Sequence, residues 1–405
     1  MKWEKVRLAD CCESIADGDH QPPPKADSGV PFVTISNITS YNQFDFSDTM
    51  HVPQSYYEAL DSKRKAQIGD ILYSVVGSFG IPVLVKKAVP FAFQRHIAIL
   101  RPDKSVLPAF LYYTMLSRDF YAKADAAAVG AAQRTISLSA LRNIEIALPP
   151  IDTQRKISNI LSAYDDLIEN NQKQIKLLEE AAQRLYKEWF VNLRFPGYET
   201  AKIVDSVPEG WRKALISDVC DTIGGGTPST SKKEYYENGN IRWVTPTDLT
   251  KGDSLILLDS EKKITVEGLK NSSAKLLPPN TILMTSRASI GYFALCEYEV
   301  CTNQGFISCL PFCDVIRYYL LFNLMNRIDE IKGKATGSTF LEISKRTFRN
   351  MEIIVPSKEI IADFSRAIAI LISKMRVLEK EKQCLTQARD RLLPKLMSGE
   401  LEVQR

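Results

Sequence analysis

Histidine is scarce in this sequence: His20, His51 and His96 are the only three among 405 residues, and all lie in the first half. A histidine-based metal site or a Ser-His-Asp relay in the second half is thereby excluded. Long apolar runs are missing too. The longest notable one, Ala367 to Ile372, is far too short to cross a bilayer. Met1-Lys-Trp-Glu-Lys has no apolar stretch of the kind a secretory leader needs, so a cytoplasmic chain is expected. Charge of one sign is not in large excess. The net charge is +4, so any acidic partner must be met by local clusters.

Chemistry-bearing motifs are also absent. There is no Gly-x-x-x-x-Gly-Lys-Ser/Thr loop, and Gly224-Gly225-Gly226 lacks the spacing of a dinucleotide fingerprint, so it reads as a flexible loop. An amino-methyltransferase would carry an Asn/Asp-Pro-Pro-aromatic tetrapeptide, which neither Leu148-Pro-Pro-Ile nor Leu277-Pro-Pro-Asn supplies. Pro102-Asp103-Lys104 has no acidic partner set for a metal-dependent nuclease. No nucleophile elbow occurs. Eight cysteines show no disulfide framework. Cys296, Cys301, Cys309 and Cys313 lack zinc-knuckle spacing and read as buried thiols. The expectation is a chain with no catalytic residue, no metal and no cofactor of its own.

What is present is a repeat. Trp3, Lys5, Asp10, Cys12, Ile15 and Gly18 return, in step, as Trp211, Lys213, Asp218, Cys220, Ile223 and Gly226. Phe32-Val-Thr-Ile-Ser-Asn-Ile-Thr returns as Trp243-Val-Thr-Pro-Thr-Asp-Leu-Thr, Ile71-Leu72 as Ile282-Leu283, Gln94 as Gln304, and Arg142-Asn143 as Arg349-Asn350. An offset held near 210 residues throughout marks a duplicated unit, far longer than a solenoid repeat. Two like units in one chain can sit about a pseudo-twofold axis, which suits a duplex with two half-sites.

Each copy has two parts. Residues 1–150 and 198–355 are short apolar stretches broken by Gly, Pro, Asn and Ser. Val30 to Ile35, Asp70 to Val76, Ile81 to Val85 and Ile97 to Leu100 read as strands, and Ala109 to Ala122 and Val315 to Ile331 as helices. The expected class is α+β with a mixed, mainly antiparallel sheet. Residues 151–197 and 356–405 are helical. The first carries a seam at Ile157, Leu161, Tyr164, Ile168, Asn171, Ile175, Leu178, Ala182, Leu185 and Trp189, alternating steps of four and three. The second repeats it at Phe364, Ile368, Leu371, Met375, Leu378, Lys382, Leu385, Arg389, Leu392 and Leu396. Asp152 and Ser357 are expected as N-caps. A helix of roughly 57 Å outruns one small domain. Two of them with one phase predict an antiparallel coiled coil holding the globular domains apart. Asn171, Lys382 and Arg389 interrupt the seam and either fix its register or face a partner.

The polar positions that recur follow strands. In the first copy they are Thr34, Ser36 and Asn37, then Ser74 and Ser78, then Gln94, Arg95 and His96, with Arg134 further on. In the second they are Thr245, Thr247 and Asp248, then Ser286, Arg287 and Ser289, then Asn303 and Gln304, with Ser338 further on. Arg can bond guanine and Gln or Asn adenine in a bidentate manner, while Ser and Thr suit phosphates. Basic pairs stand nearby at Lys63-Arg64-Lys65, Lys86-Lys87, Lys232-Lys233 and Lys262-Lys263.

The whole chain resembles the specificity subunit of a type I restriction–modification enzyme. The likeness rests on Asp70-Ile-Leu and Thr281-Ile-Leu leading into Gly77-Ser-Phe-Gly and Ala288-Ser-Ile-Gly. It rests also on Asn303-Gln-Gly-Phe, Gly337-Ser-Thr-Phe, Leu141-Arg-Asn-Ile-Glu-Ile-Ala-Leu-Pro and the C-terminal Leu392-Leu-Pro-Lys-Leu-Met-Ser-Gly-Glu. The resemblance implies that each globular part is a target recognition domain reading half of a split, asymmetric double-stranded DNA site. It implies that the coiled coil sets the spacer and docks two modification subunits, which methylate adenine from S-adenosylmethionine. Restriction subunits using ATP and Mg2+ would join through them. Val76 stands where the second copy has Arg287, which leaves a guanine-type contact at that loop to the second copy alone. Two other readings stay open: the recognition partner of a type IIB-like enzyme, and a protein-only scaffold of two modules on a rod.

Overall fold

The structure is a computed structural model that describes residues 3–39, 41–131, 133–204, 207–337 and 339–402. It forms two compact units, residues 1–167 with 385–405, and residues 168–384. The boundary therefore falls inside both long helices, and each unit takes in a globular part plus one portion of each helix.

In the first unit a four-stranded antiparallel sheet runs in the order Cys12–Asp17, Ile97–Pro102, Ile71–Ser74, Pro82–Leu84. Alternation decides its two faces. Leu72, Ile97 and Ile99 point one way, into a core shared with Val33 and Phe93 of a three-stranded sheet ordered Met50–Val52, Val30–Val33, Ala92–Phe93. Ile71, Tyr73, Ala98 and Leu100 point the other way, against Phe110, Leu111 and Phe120 of two short helices. Those helices, Pro108–Leu116 and Arg118–Ala127, replace the single expected one. Ser117 breaks it, its hydroxyl capping Phe120 N at 3.2 Å.

The second unit repeats the layers. Cys220–Gly224, Phe306–Pro311, Ile282–Thr285, Phe293–Cys296 and Ile256–Leu257 form its main sheet, the last strand parallel to its neighbour. Leu283 and Phe306 face one core, and Ile282, Met284, Ile307 and Cys309 the other. Cys296, Cys301 and Cys309 are buried strand residues, whereas Cys313, expected with them, follows the strand Phe306–Pro311 and is exposed; burial pushes the Cys296 thiol up to about 11. The expected second helix is again two, Arg317–Asn326 and Ile328–Gly333. In both units a two-stranded pair closes the globular part: Glu4–Arg7 with Glu145–Leu148, and Arg212–Leu215 with Glu352–Val355.

The long helices span Ile151–Tyr186, followed by a π-turn over Lys187–Val191, and Lys358–Met397. They pack antiparallel within each unit. In the first, Ile157 and Leu161 share a core with Leu393 and Leu396. In the second, Ile175, Ala182 and Tyr186 share one with Phe364, Ile368, Ile372, Met375 and Leu378. Ile168 is buried as well, whereas Leu178, Leu185, Leu371, Leu385 and Leu392 are only half-buried. Ser357 caps its helix, its hydroxyl accepting from Ile360 N at 3.4 Å. Asp152 instead lies inside the first turn and pairs with Arg155 at 3.1 Å, because the helix already begins at Ile151. Among the described residues no helix is long and apolar enough to cross a membrane.

Candidate nucleic-acid interface

Three loops converge at the same place in each unit. In the first, the loop after Ile71–Ser74 is tied to the turn at 94–96 by Val75 N to His96 O, 2.9 Å, and to the hairpin 129–136 by Ile136 N to Val75 O, 3.0 Å. In the second, Ser286 N bonds Gly305 O at 2.8 Å and Ile343 N bonds Ser286 O at 3.0 Å, joining the loop 286–291, the turn 303–305 and the hairpin 336–343. The first loop also has one backbone path in both. Gly77 and Ala288 both sit in the left-handed region, at φ +74° and +58°.

Several expected contacts prove to be committed elsewhere in the fold. Ser74 is fully buried, and its hydroxyl accepts from Ile81 N at 2.8 Å. Ser286 is 2% exposed. The Thr34 amide donates to Asn37 Oδ1 at 2.9 Å while Asn37 Nδ2 donates to Asp48 O at 3.2 Å. Ser36 is exposed but bonded to Thr34 at 2.7 Å. Thr245 N and Oγ1 both donate to Asp248 Oδ2, at 2.7 and 2.8 Å, and Asp248 Oδ1 accepts from Glu261 N. These groups build turns. Arg134 forks onto Asp125 at 2.7 and 2.9 Å and so braces its own hairpin. The Asn303 side chain accepts from Gly305 N at 2.9 Å, which fixes the turn that presents Gln304. Ser338 lies outside the described residues.

What faces solvent at the converged loops is a shorter set. Ser78 and Arg95 are exposed and Gln94 and His96 half-buried; among the described residues Arg95 forms no ion pair. In the second unit Thr247, Arg287, Ser289 and Gln304 are exposed. Arg287 stands 3.7 Å from Glu342, and Thr227 Oγ1 donates to Gln304 Oε1.

A cavity of about 620 Å³ opens beside Gln304 and Ser286 in the second unit. Its walls include Thr222, Gly224, Gly225, Lys275 and Lys345, none of which stands in the expected set. Lys275 holds the register of Arg64 in the first copy, a match visible by extending the Ile71–Ile282 offset backwards.

The family follows from the comparisons. The model of the type I restriction modification DNA specificity domain matches residues 1–180 and again 208–383, one match per repeat. The chain belongs to that family. It is similar to the type I restriction enzyme HindI specificity subunit of Haemophilus influenzae, 26% identical over 98% of this chain and 99% of that one. It is 38% identical to the type I restriction enzyme MjaIX specificity subunit of Methanocaldococcus jannaschii over 38% of this chain and 36% of the other. The fold is similar to the crystal structure of a type I restriction–modification S subunit from M. genitalium. The TM-score is 0.57, at 18% identity, over 97% of this chain and 96% of that one.

Proposed function

We propose that the chain is the DNA sequence-recognition subunit of a type I restriction–modification complex and is non-catalytic by itself. Each globular domain reads one half of a bipartite, asymmetric duplex site. The supporting observation is the converged loop triplet: one backbone frame, used twice, presents Arg95 and His96 in the first domain and Arg287 and Gln304 in the second. Unlike side chains on like frames discriminate unlike bases.

The long helices act as the spacer. At 36 and 40 residues they measure roughly 54 and 60 Å, enough to hold half-sites about one DNA turn, 34 Å, apart. Their flanks leave Ile160, Leu167, Leu177, Ile370 and Val377 exposed, apolar positions suited to docking two modification subunits. Those subunits would supply adenine methylation from S-adenosylmethionine, and restriction subunits joined through them the ATP- and Mg2+-dependent steps.

The test is a base-resolution adenine methylation map of cells carrying the complete system. A split motif is expected, and Gln304→Ala is expected to relax one half of it only. Equal modification of sites whose spacer differs by one base pair would overturn the ruler, and no motif at all would overturn DNA recognition.

A further inference from the structure

The cavity beside Gln304 has an unusual charge balance. Two carboxylates line it, Asp221 and Glu342, and each has an arginine: Arg349 at 3.6 Å and Arg287 at 3.7 Å. Two lysines line it as well, Lys275 and Lys345, and among the described residues neither forms an ion pair. The site therefore holds two surplus positive charges. Lys345 closes over bare backbone, since a Cβ on Gly224 would stand 3.4 Å from its Nζ. A second, independent feature points to a ligand. Thr222 lines the cavity at 5% exposure, and its buried hydroxyl has no hydrogen-bond partner among the described residues. An unmet buried hydroxyl is costly unless something supplies its partner.

The first domain lacks this balance. Its main-sheet edge strand ends in Asp17-Gly18-Asp19 where the second ends in Gly224-Gly225-Gly226. Arg64, in the register of Lys275, lies 3.8 Å from Asp17 and 3.6 Å from Asp19. His20 adds a bond to Asp17 at 2.9 Å, and the Tyr56 hydroxyl one to Asp19 at 3.0 Å. The cation is neutralised, and the carboxylates repel an anion.

We infer that the cavity of the second domain is an anion slot that grips one stretch of the DNA sugar–phosphate backbone through Lys275 and Lys345, and that the first domain has no counterpart. This rests on the DNA-recognition reading above. The slot adjoins the turn that carries Gln304, so a phosphate seated there fixes that turn against the bases. Two flexible ammonium groups and a hydroxyl suit a phosphate, which carries no sequence information. Base preference therefore stays with the loops.

The experiment titrates the full-length subunit, in its complete complex, with the duplex it modifies and with a random-sequence duplex across a range of salt. Lys275→Gln and Lys345→Gln are each expected to weaken both duplexes alike and to lower the slope of log affinity against log salt by about 1. Lys275→Arg and Lys345→Arg, which keep the charge, should restore the slope. Arg64→Gln should leave it unchanged, and a fall there would overturn the asymmetry. Unchanged slopes in both Gln variants, with binding intact, would overturn the slot while leaving DNA recognition standing. A changed base preference at constant slope would make the cavity a base reader and equally overturn the slot. Failure of the unmodified complex to bind any duplex would overturn the DNA reading itself.

Discussion

Arg389 Nη1 donates to Asp165 Oδ1 at 2.7 Å, joining the second long helix to the first at a position of the mainly apolar seam. The Tyr113 hydroxyl holds the other carboxylate oxygen at 2.7 Å. Burial works to discharge Arg389, but the hydrogen bond and charge of Asp165 outweigh it and hold its pKa above the ordinary guanidinium value. Burial, reinforced by Asp165, pushes the Tyr113 hydroxyl up as well, so it stays a donor. A charged pair in an apolar seam costs desolvation yet penalises shifted registers, in which either charge would be buried alone.

Arg389→Met should therefore destabilise the chain by about 3 kcal/mol, because the largely buried Asp165 carboxylate loses its partner. Adding Asp165→Asn should recover part of that loss, giving a coupling of about 1 kcal/mol or more in a double-mutant cycle. Urea unfolding followed by far-ultraviolet circular dichroism measures both, and strictly additive losses would refute the coupling.

Glu179, on the first long helix, has its carboxyl raised above its ordinary value of 4.5, chiefly by burial, with Gln183 partly offsetting it. The ionised form is thus disfavoured in the folded state. Stability from this group is present below pH about 4.5 and is lost as pH rises through the higher folded value. Glu179→Gln should raise the melting temperature near pH 7, and the gain should vanish towards pH 4. A gain independent of pH would argue against the titration.

The two glycines of the Gly77-Ser-Phe-Gly loop and its copy should differ sharply in tolerance. A Cβ on Gly77 would meet only Gln133 Nε2 at 3.6 Å, and Ala288 already occupies the equivalent left-handed position. Gly77→Ala should cost about 1 kcal/mol, the left-handed penalty alone. On Gly291, also left-handed, a Cβ would lie 1.9 Å from Ile328 Cδ1, so Gly291→Ala should cost clearly more. Comparable thermal shifts for the two variants would contradict this.

Base reading should separate by domain. Arg95→Ala is expected to relax one half-site and Gln304→Ala the other, each by about 1–3 kcal/mol of discrimination. Arg134→Ala should change stability and leave base preference alone, since Asp125 already occupies its fork. Methylation motifs of the three variants report all three outcomes.

The repeat, the layer class and the helical seam were legible because they are periodic or duplicated. The buried face of the second helix is broader than the expected seam. Ile372 and Leu393 are buried while Leu371 and Leu392, one residue earlier, are half-buried. Each helix portion packs on the core of its own globular part as well as on the other helix, so the buried face is wider than a two-position seam and takes in the next residue too. At the candidate site the loops were legible in the sequence, but the partners of their side chains were not. Whether Ser74, Thr34 or Arg134 faces solvent depends on Ile81, Asn37 and Asp125, partners that no residue type announces. Lys275 and Lys345 are far apart in sequence, and only the main-sheet edge strand ending at Gly224 brings them to one cavity.

The short strand pairs that close each globular part carry a consequence for how such a chain can change. Glu4 stands opposite Leu148, and Arg212 opposite Val355. Entry to and exit from each globular part thus lie side by side, one strand spacing of about 4.8 Å apart, just before its long helix. A module whose two ends meet can be exchanged as one contiguous stretch of gene without redirecting the chain outside it. If each module reads one half-site, as proposed, one half of the DNA address could be rewritten while the other half, and the spacer between them, stay as they were.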